Sequence, residues 1–201
     1  MSYSQFTLRK VKDAFQLSLV EDRDLFSVLE PHAPGEDFVR ILHETMPLAL
    51  TVNTEKARSE FLIAPVLVEV RRLRKRQISL FSGVDFNVDA ERDLNGYCDF
   101  LIGGSAEQLF LIAPVLAVVE AKNEDLIGGM GQCVAEMVAA RLFNEREGTP
   151  IHRVYGAVTT GSLWKFLKLE GPTVAIDNRE YHIENLPKIL GILLAMTRQE
   201  A

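Results

Sequence analysis

The sequence is short of cysteine and of positive charge. It has two cysteines, Cys98 and Cys133, and no Cys-x-x-Cys pair, which excludes a disulfide framework and argues against a structural zinc site. Both cysteines lie among apolar neighbours, so we expect buried thiols of a reducing compartment. Lys and Arg number 22 against 28 Asp and Glu, a net charge of −6. Any contact with nucleic acid must therefore come from a local basic patch.

Long apolar runs are also missing. No stretch reaches 18 uncharged apolar residues, and the N-terminus has no signal-sequence core, so we expect a cytoplasmic protein with no membrane span. The phosphate-binding GxxxxGK[ST], the dinucleotide-binding GxGxxG and the hydrolase GxSxG motifs are absent as well. A chain of 201 residues with 47% apolar residues is long enough for one domain with a core and a recessed site.

The spacing of apolar residues predicts a mixed fold. Residues 1–50 show helical spacing and are expected to form a helical N-terminal extension, in which residues 6–19 are a helix or a mixture of helix and strand. Further helices are predicted at 54–76, with Pro65 as a possible kink, at 128–147 and at 186–196, and within the extension at 37–45, where Pro47 should stop the helix. Strands are predicted at 78–88, 97–102, 115–121, 153–159 and 163–169, with 173–176 as a short edge strand. This order indicates an α/β or α+β fold, a mixed sheet covered by helices.

Chemistry is concentrated at the end of the predicted strand VLAVVEAK. Side chains alternate along a strand, so Glu120 and Lys122 share one face. Asp99, in GYCDFLIG, is the one charged residue of the neighbouring predicted strand, and strand pairing would bring it beside Glu120. Two adjacent carboxylates repel each other and call for a proton or a cation, and oxygen ligands select Mg²⁺ or Mn²⁺ rather than Zn²⁺. A simple Glu–Lys ion pair at a strand end is the alternative interpretation.

Two helical residues extend this set. Glu55 begins the stripe that contains Leu62 and Val66, so we expect it, rather than Glu60, to point towards the site; favourable interaction with the helix dipole is the alternative explanation. Gln132 lies in the first turns of the next helix, where it can bind a carboxylate, water or phosphate, or be an ordinary polar position.

One basic cluster stands out in this acidic chain. It ends the predicted helix at 54–76 and comprises Arg71, Arg72, Arg74, Lys75 and Arg76. Such a cluster can bind phosphates, and it is also typical of a solvated helix end that complements the helix dipole.

Taken together, these motifs resemble the PD-(D/E)XK nuclease superfamily, which has the restriction-endonuclease-like fold. The stretches that carry the resemblance are TEKARSEFLIAPVL, LNGYCDFLIG, VLAVVEAK and GQCVAEMVAA; they place a helix Glu, a strand Asp, a strand Glu-x-Lys and a helix Gln in the family's order. TTGSLWKFLKL is similar to the strand–turn–strand that follows in many members. The resemblance covers residues 54–170, with 171–201 as a closing strand and helix. Cys98 stands where the family often has proline.

The resemblance implies a catalytic set of Asp99, Glu120, Lys122, Glu55 and Gln132. Asp99 and Glu120 would hold Mg²⁺ or Mn²⁺ together with the carbonyl of Ala121, with Glu55 as an outer or second-site ligand. Lys122 would orient water and stabilise developing charge.

The implied activity is endonucleolytic hydrolysis of phosphodiester bonds. DNA, bound through the basic cluster, is the leading substrate, and RNA or a particular DNA structure stays open. A catalytically inactive binding or assembly module of the same fold is the alternative. Membrane contact is not expected, and a homodimer is left open.

Overall fold

The fold is built on one mixed β-sheet between two helical layers. The computed structural model describes residues 2–198, and this part of the chain forms eight strands in a single sheet. The strands are β1 (Ser18–Arg23), β2 (Ser79–Asp85), β3 (Tyr97–Gly103), β4 (Val115–Ala121), β5 (Arg153–Thr159), β6 (Leu163–Glu170), β7 (Thr173–Asp177) and β8 (Tyr181–His182). The helices are α1 (Leu8–Ala14), α2 (Glu36–Val52), α3 (Glu55–Arg58), α4 (Ala64–Leu73), α5 (Leu126–Arg146) and α6 (Leu186–Met196).

The strand order is β1-β7-β6-β5-β4-β3-β2, with β8 paired to β6. The pairs β1–β7 and β4–β5 are parallel, and the other pairs are antiparallel. The predicted mixed sheet covered by helices is thus confirmed. The boundaries of β4, β5 and α6 coincide with the predicted ones, because each is a short periodic segment with clear turn residues beside it.

Helix α5 lies in the interior and is buried on most of its circumference. It packs on β4 and β5 on one side and under α1 on the other. By length and composition it is the one helix of residues 2–198 that could cross a membrane, but 67% of the relevant stretch is buried inside the protein, as in the core helix of a soluble protein. Cys98 and Cys133 are both buried free thiols, which confirms that part of the prediction.

The prediction that residues 1–50 form a helical extension is wrong in one respect. The segment contains β1, which pairs in parallel with β7. As a result β7 lies inside the sheet, between β1 and β6, and the prediction of 173–176 as an edge strand is also wrong. A parallel pairing across about 150 residues leaves no local signal in the sequence.

Pro47 does not stop the second predicted helix. Helix α2 runs from Glu36 to Val52, with Pro47 inside it. Proline removes the amide that would bond to the carbonyl of His43. Both residues are exposed, so water can satisfy that carbonyl, and the helix continues to Asn53, which caps it in the left-handed conformation.

The long helix predicted at 54–76 forms with an interruption. Thr54 caps it by accepting a hydrogen bond from the amide of Ala57. A π-helical turn, Ser59–Ile63, then separates α3 from α4, and Pro65 follows at the start of α4. Pro65 leaves the carbonyl of Phe61 without its usual amide donor, and the hydroxyl of Thr45 in α2 donates to that carbonyl at 2.8 Å.

Candidate active site

Strands β3 and β4 bring Asp99 and Glu120 together. The antiparallel ladder of β3 and β4 ends at the Phe100–Val119 pair, one residue short of Asp99 and Glu120. The amide of Ala121 donates to Oδ2 of Asp99 at 2.8 Å. Asp99 is therefore bonded to the β4 backbone next to Glu120, and it is close enough to raise the pKa of that carboxyl group, in agreement with the predicted pairing of the two strands.

Glu120 is almost completely enclosed, with a relative exposure of 1%. Its Oε1 accepts a 2.5 Å hydrogen bond from Nζ of Lys122, and its Oε2 is buried with no hydrogen-bond partner among the described residues. Burial first, and the neighbouring Asp99 second, raise the pKa of Glu120 to about 8. A buried oxygen without a partner is an unusual feature of a folded protein.

Lys122 joins the carboxylate pair to helix α5. Its backbone amide donates to the carbonyl of Thr159 in β5 at 2.8 Å, and its Nζ also approaches Oε1 of Gln132 at 3.4 Å. Burial alone would lower the pKa of Lys122, but the attraction of Glu120 outweighs it, so that the pKa lies above its usual value and the side chain stays charged.

Gln132 occupies the place in α5 that the sequence predicted, but it also contacts a residue that sequence reasoning missed. Its Nε2 donates to Oε1 of Glu136 at 3.1 Å. Glu136 is completely buried, and burial followed by repulsion from Glu120 raises its pKa well above the usual range. Glu136 was visible in the sequence as the one acid in the apolar run between Cys133 and Ala140, four residues after Gln132 and hence on the same helical face.

A cavity of about 260 Å³ opens beside this cluster. Within the described residues, Asp99 and Ala121 line it, whereas Glu120 and Lys122 do not. Of the three strand residues that the sequence analysis brings together, only Asp99 lines this cavity. Successive residues of β4 face opposite sides of the sheet, so Ala121 faces the cavity while Glu120 faces α5. The complete lining is Glu55, Lys56, Ser59, Glu60, Ser82, Gly83, Asp99 and Ala121.

Both candidate helix acids reach this cavity. Glu55 lines it as predicted, but the expectation that Glu60 faces away from it is wrong, since Glu60 lines it too. The π-helical turn, whose hydrogen bonds span five residues rather than four, changes the phase of the helix at this point. Glu60 forms an ion pair with Lys56 at 3.0 Å. Glu55 has no ion pair within residues 2–198, and its charge contributes to the raised pKa of Lys122.

The basic cluster is partly neutralised and lies away from the cavity. Arg72 forms a double hydrogen bond with the buried Glu69, which lowers the pKa of that carboxylate, and Nε of Arg71 donates to the carbonyl of Ile78. Lys75 and Arg76 are exposed. At 1.5 Å per helical residue, the cluster begins roughly 25 Å from Glu55 along the helix.

The carboxylate oxygens of the site have the chemistry to bind a hard cation, but the described side chains are not close enough together to hold one. Asp99 and the unpartnered Oε2 of Glu120 are carboxylate oxygens of the kind that Mg²⁺ and Mn²⁺ prefer. Over residues 2–198, however, no three His, Cys, Asp or Glu side chains are gathered closely enough to hold a metal ion.

A scan of the chain against protein-family models gives no match, and a search of curated proteins gives none either. The resemblance to PD-(D/E)XK nucleases therefore depends on the motifs themselves and on their positions in the fold.

Proposed function

We propose that this protein is a Mg²⁺- or Mn²⁺-dependent nuclease of restriction-endonuclease-like fold that hydrolyses phosphodiester bonds, with DNA as the leading substrate. One observation carries the proposal: Asp99 and Glu120 bring two carboxyl groups together beside the end of β4, and the buried Oε2 of Glu120 accepts no hydrogen bond within residues 2–198. The element order supports it as well, since a helix with Glu55, a strand with Asp99, a strand with Glu120 and Lys122 and a helix with Gln132 follow one another in the chain.

Asp99, Glu120 and the carbonyl of Ala121 would hold the cation, with Glu55 as an outer ligand across the cavity. When bound, such an ion supplies activation of water and neutralisation of the phosphate charge. Asp99 also has a structural role, because its Oδ2 accepts a hydrogen bond from the amide of Ala121 and so fixes the end of β4.

Lys122 is suited to stabilise charge on a phosphate. An ammonium group has three protons; in this structure one is directed to Glu120 and one to Gln132. The third is available for a phosphate oxygen, and rotation of Glu120 towards a cation would release another. In either case Lys122 acts as a charge donor and not as a metal ligand.

A catalytically inactive binding or assembly module is the second candidate. The enclosure of Glu120 and its short bond to Lys122 favour it, because together they describe a satisfied ion pair as readily as an incomplete metal site. The two candidates differ in their response to Mg²⁺, which makes them separable by experiment.

The deciding experiment is cleavage of double-stranded DNA, single-stranded DNA and RNA with Mg²⁺ or Mn²⁺, with EDTA as the blank. Lys122→Ala should lose about 100-fold in activity while it retains metal binding, and Asp99→Asn should lose both. Glu145→Gln, a change at an exposed acid that pairs with Arg141 in α5 and does not line the cavity, is the matched control and should keep most of the activity.

Thermal unfolding provides a second measurement on the same proteins. At 100 times its dissociation constant, a cation that binds only the folded state stabilises it by about 2.7 kcal/mol, so Mg²⁺ should raise the Tm of the wild type and leave that of Asp99→Asn unchanged. A wild type that neither cleaves any of the three substrates nor gains Tm would support the inactive module instead.

A further inference from the structure

The fully buried Glu136 in α5 is not part of the cavity wall or of the proposed ligand set. It lies in the middle of the helix, 0% exposed. A carboxyl group in such a place costs free energy unless it has hydrogen-bond partners. One of its oxygens accepts from Gln132, and the other, Oε2, has no partner among the described residues.

The bond from Gln132 to Glu136 determines which way the Gln132 amide faces. Lys122 can only donate hydrogen bonds, so it requires the amide oxygen of Gln132. With Nε2 of Gln132 directed at Glu136 at 3.1 Å, Oε1 is directed at Nζ of Lys122 at 3.4 Å. The opposite orientation would present two N–H donors to the ammonium group and would leave Glu136 without its donor.

The stem of Lys122 is confined as well. A methyl group added at Gly129 would lie 2.9 Å from Cγ of Lys122 and 2.7 Å from Cγ1 of Val158. The missing side chain at Gly129 thus leaves the space that the lysine stem occupies, while its ammonium group lies between Glu120 and Gln132.

We propose that Glu136 is a positioning residue that acts through Gln132 to hold the ammonium group of Lys122 beside Glu120. The carboxyl group of Glu136 orients the Gln132 amide. The amide oxygen is then one of the two hydrogen-bond acceptors of Lys122, so the ammonium group stays at the end of β4. Glu136 itself does not line the cavity beside Asp99. A role of Glu136 in catalysis rests on the proposed function, whereas its effect on the position of the Lys122 ammonium group does not.

The test compares Glu136→Met with Glu136→Gln. Methionine has a similar volume and no strong acceptor, so Gln132 loses its orienting partner; glutamine keeps an acceptor oxygen and should restore the wild-type arrangement. Glu145→Met, on the exposed end of the same helix, is the matched control. Replacement of a buried carboxyl by a side chain of similar volume is generally compatible with folding, and circular dichroism of each variant checks this.

The primary measurement is the ammonium resonance of Lys122 in nitrogen-labelled protein, assigned by its absence in Lys122→Met. We expect a slowly exchanging signal in the wild type, in Glu136→Gln and in Glu145→Met, and hydrogen exchange at least several-fold faster in Glu136→Met. An unchanged Lys122 signal in Glu136→Met would overturn the inference.

Cleavage kinetics separate this inference from the proposed function. Glu136→Met should lower kcat about tenfold with KM unchanged, and Glu136→Gln should rescue it, which a purely structural role would not produce. If the wild type is inactive on all substrates while the Lys122 signal still depends on residue 136, the proposed nuclease is wrong and the positioning role stands.

Discussion

At the scale of single residues, Glu120 is the most unusual group in the protein. It combines near-complete burial, one ammonium partner and one unpartnered oxygen. Its pKa of about 8 means that the folded protein holds a proton at Glu120 over a pH range in which the unfolded chain, with a pKa of 4.5, has released it. This difference links stability to pH.

Glu120→Gln should make the protein less sensitive to alkaline pH. Because the folded-state pKa is raised, the contribution of Glu120 is intact below about pH 4.5 and is lost as pH rises to about 8. The wild type should therefore lose unfolding free energy from this group as the pH rises through that range, and the Gln variant should lose clearly less. Urea unfolding at a series of pH values measures both slopes.

The exposed Glu60→Gln serves as the control for that measurement and should follow the wild type. Glu136 also has a raised pKa, so part of the alkaline loss should persist in Glu120→Gln. Equal slopes of unfolding free energy against pH for the wild type and Glu120→Gln would contradict this prediction. They would show that Glu120 is ionised at neutral pH and that its ion pair with Lys122 offsets the cost of burying the charge.

At the scale of elements, the interruption between α3 and α4 brings Glu60 to the cavity. The π-helical turn and Pro65 leave the carbonyl of Phe61 to the hydroxyl of Thr45. Helix α2 thus donates a hydrogen bond to the α3–α4 helix at the carbonyl that Pro65 leaves without an amide partner. The geometry of the cavity wall depends on this contact between two helices as well as on the strands.

Thr45→Val should destabilise the protein by about 1 kcal/mol, the typical effect of one lost hydrogen bond. Thr51→Val, on the exposed side of the same helix, should have almost no effect. Denaturant midpoints measure both. In a Pro65→Ala background the restored amide can bond to Phe61, so the effect of Thr45→Val should shrink; an equal loss in both backgrounds would contradict this account of the contact.

The N-terminal segment packs directly on α5 at Gly131. A methyl group there would lie 2.3 Å from the carbonyl oxygen of Phe6 and 2.6 Å from the amide nitrogen of Leu8. Both neighbours are backbone atoms, which cannot move aside as a flexible side chain can. The close approach of this backbone explains why α5 has a glycine at position 131.

Gly131→Ala should destabilise the protein by about 1–3 kcal/mol through overpacking, and proteolysis near the N-terminus should become faster. Alanine otherwise favours a helix interior over glycine by about 1 kcal/mol. A more stable Gly131→Ala variant would therefore show that the N-terminal segment does not lie against α5.

At the scale of the whole molecule, the net charge of −6 opposes binding to a polyanion. The exposed cations of the basic cluster, Lys75 and Arg76, lie at the far end of the α3–α4 helix from Glu55. From Glu55 to Leu73, the end of α4, is 18 residues, roughly 27 Å at 1.5 Å per residue. A nucleic acid that contacts both the cavity and these two cations would therefore extend over about eight base pairs at 3.4 Å each. Such a distance suits a duplex better than a mononucleotide.

Lys75→Glu combined with Arg76→Glu should weaken binding to DNA with little dependence on its sequence. The slope of log K against log salt should fall by about 2, one for each lost phosphate contact. Lys10→Glu with Lys12→Glu in α1 changes the net charge equally and is the control. Fluorescence anisotropy over a salt series measures the slopes, and equal losses in the two double variants would place the DNA elsewhere.

The local sequence pattern was sufficient to predict most strands of the sheet and the pair of Glu120 and Lys122 in the site. Alternation along 115–121 placed Glu120 and Lys122 on one face, and the lone charge in the neighbouring strand identified Asp99. The inference for β4 holds because side chains alternate along a regular strand, whereas the alternation breaks at Asp99 in β3, where Cys98 and Phe100 face different cores. The capping of the long helix by Thr54 and the boundaries of α6 are local in the same sense.

The tertiary structure alone decided what depends on distant partners. Strand β1 pairs in parallel with β7, about 150 residues away, and helix α2 continues through Pro47. Both features depend on distant residues or on solvent, which a local stretch of sequence does not show. The same applies to the presence of Glu60 at the cavity and to the enclosure of Glu120 against α5. The sequence by itself determined which side chains carry the chemistry; the packing of α5 and of the α3–α4 helix on the sheet decided which of them meet solvent, because burial is a property of the assembled layers and not of any one strand.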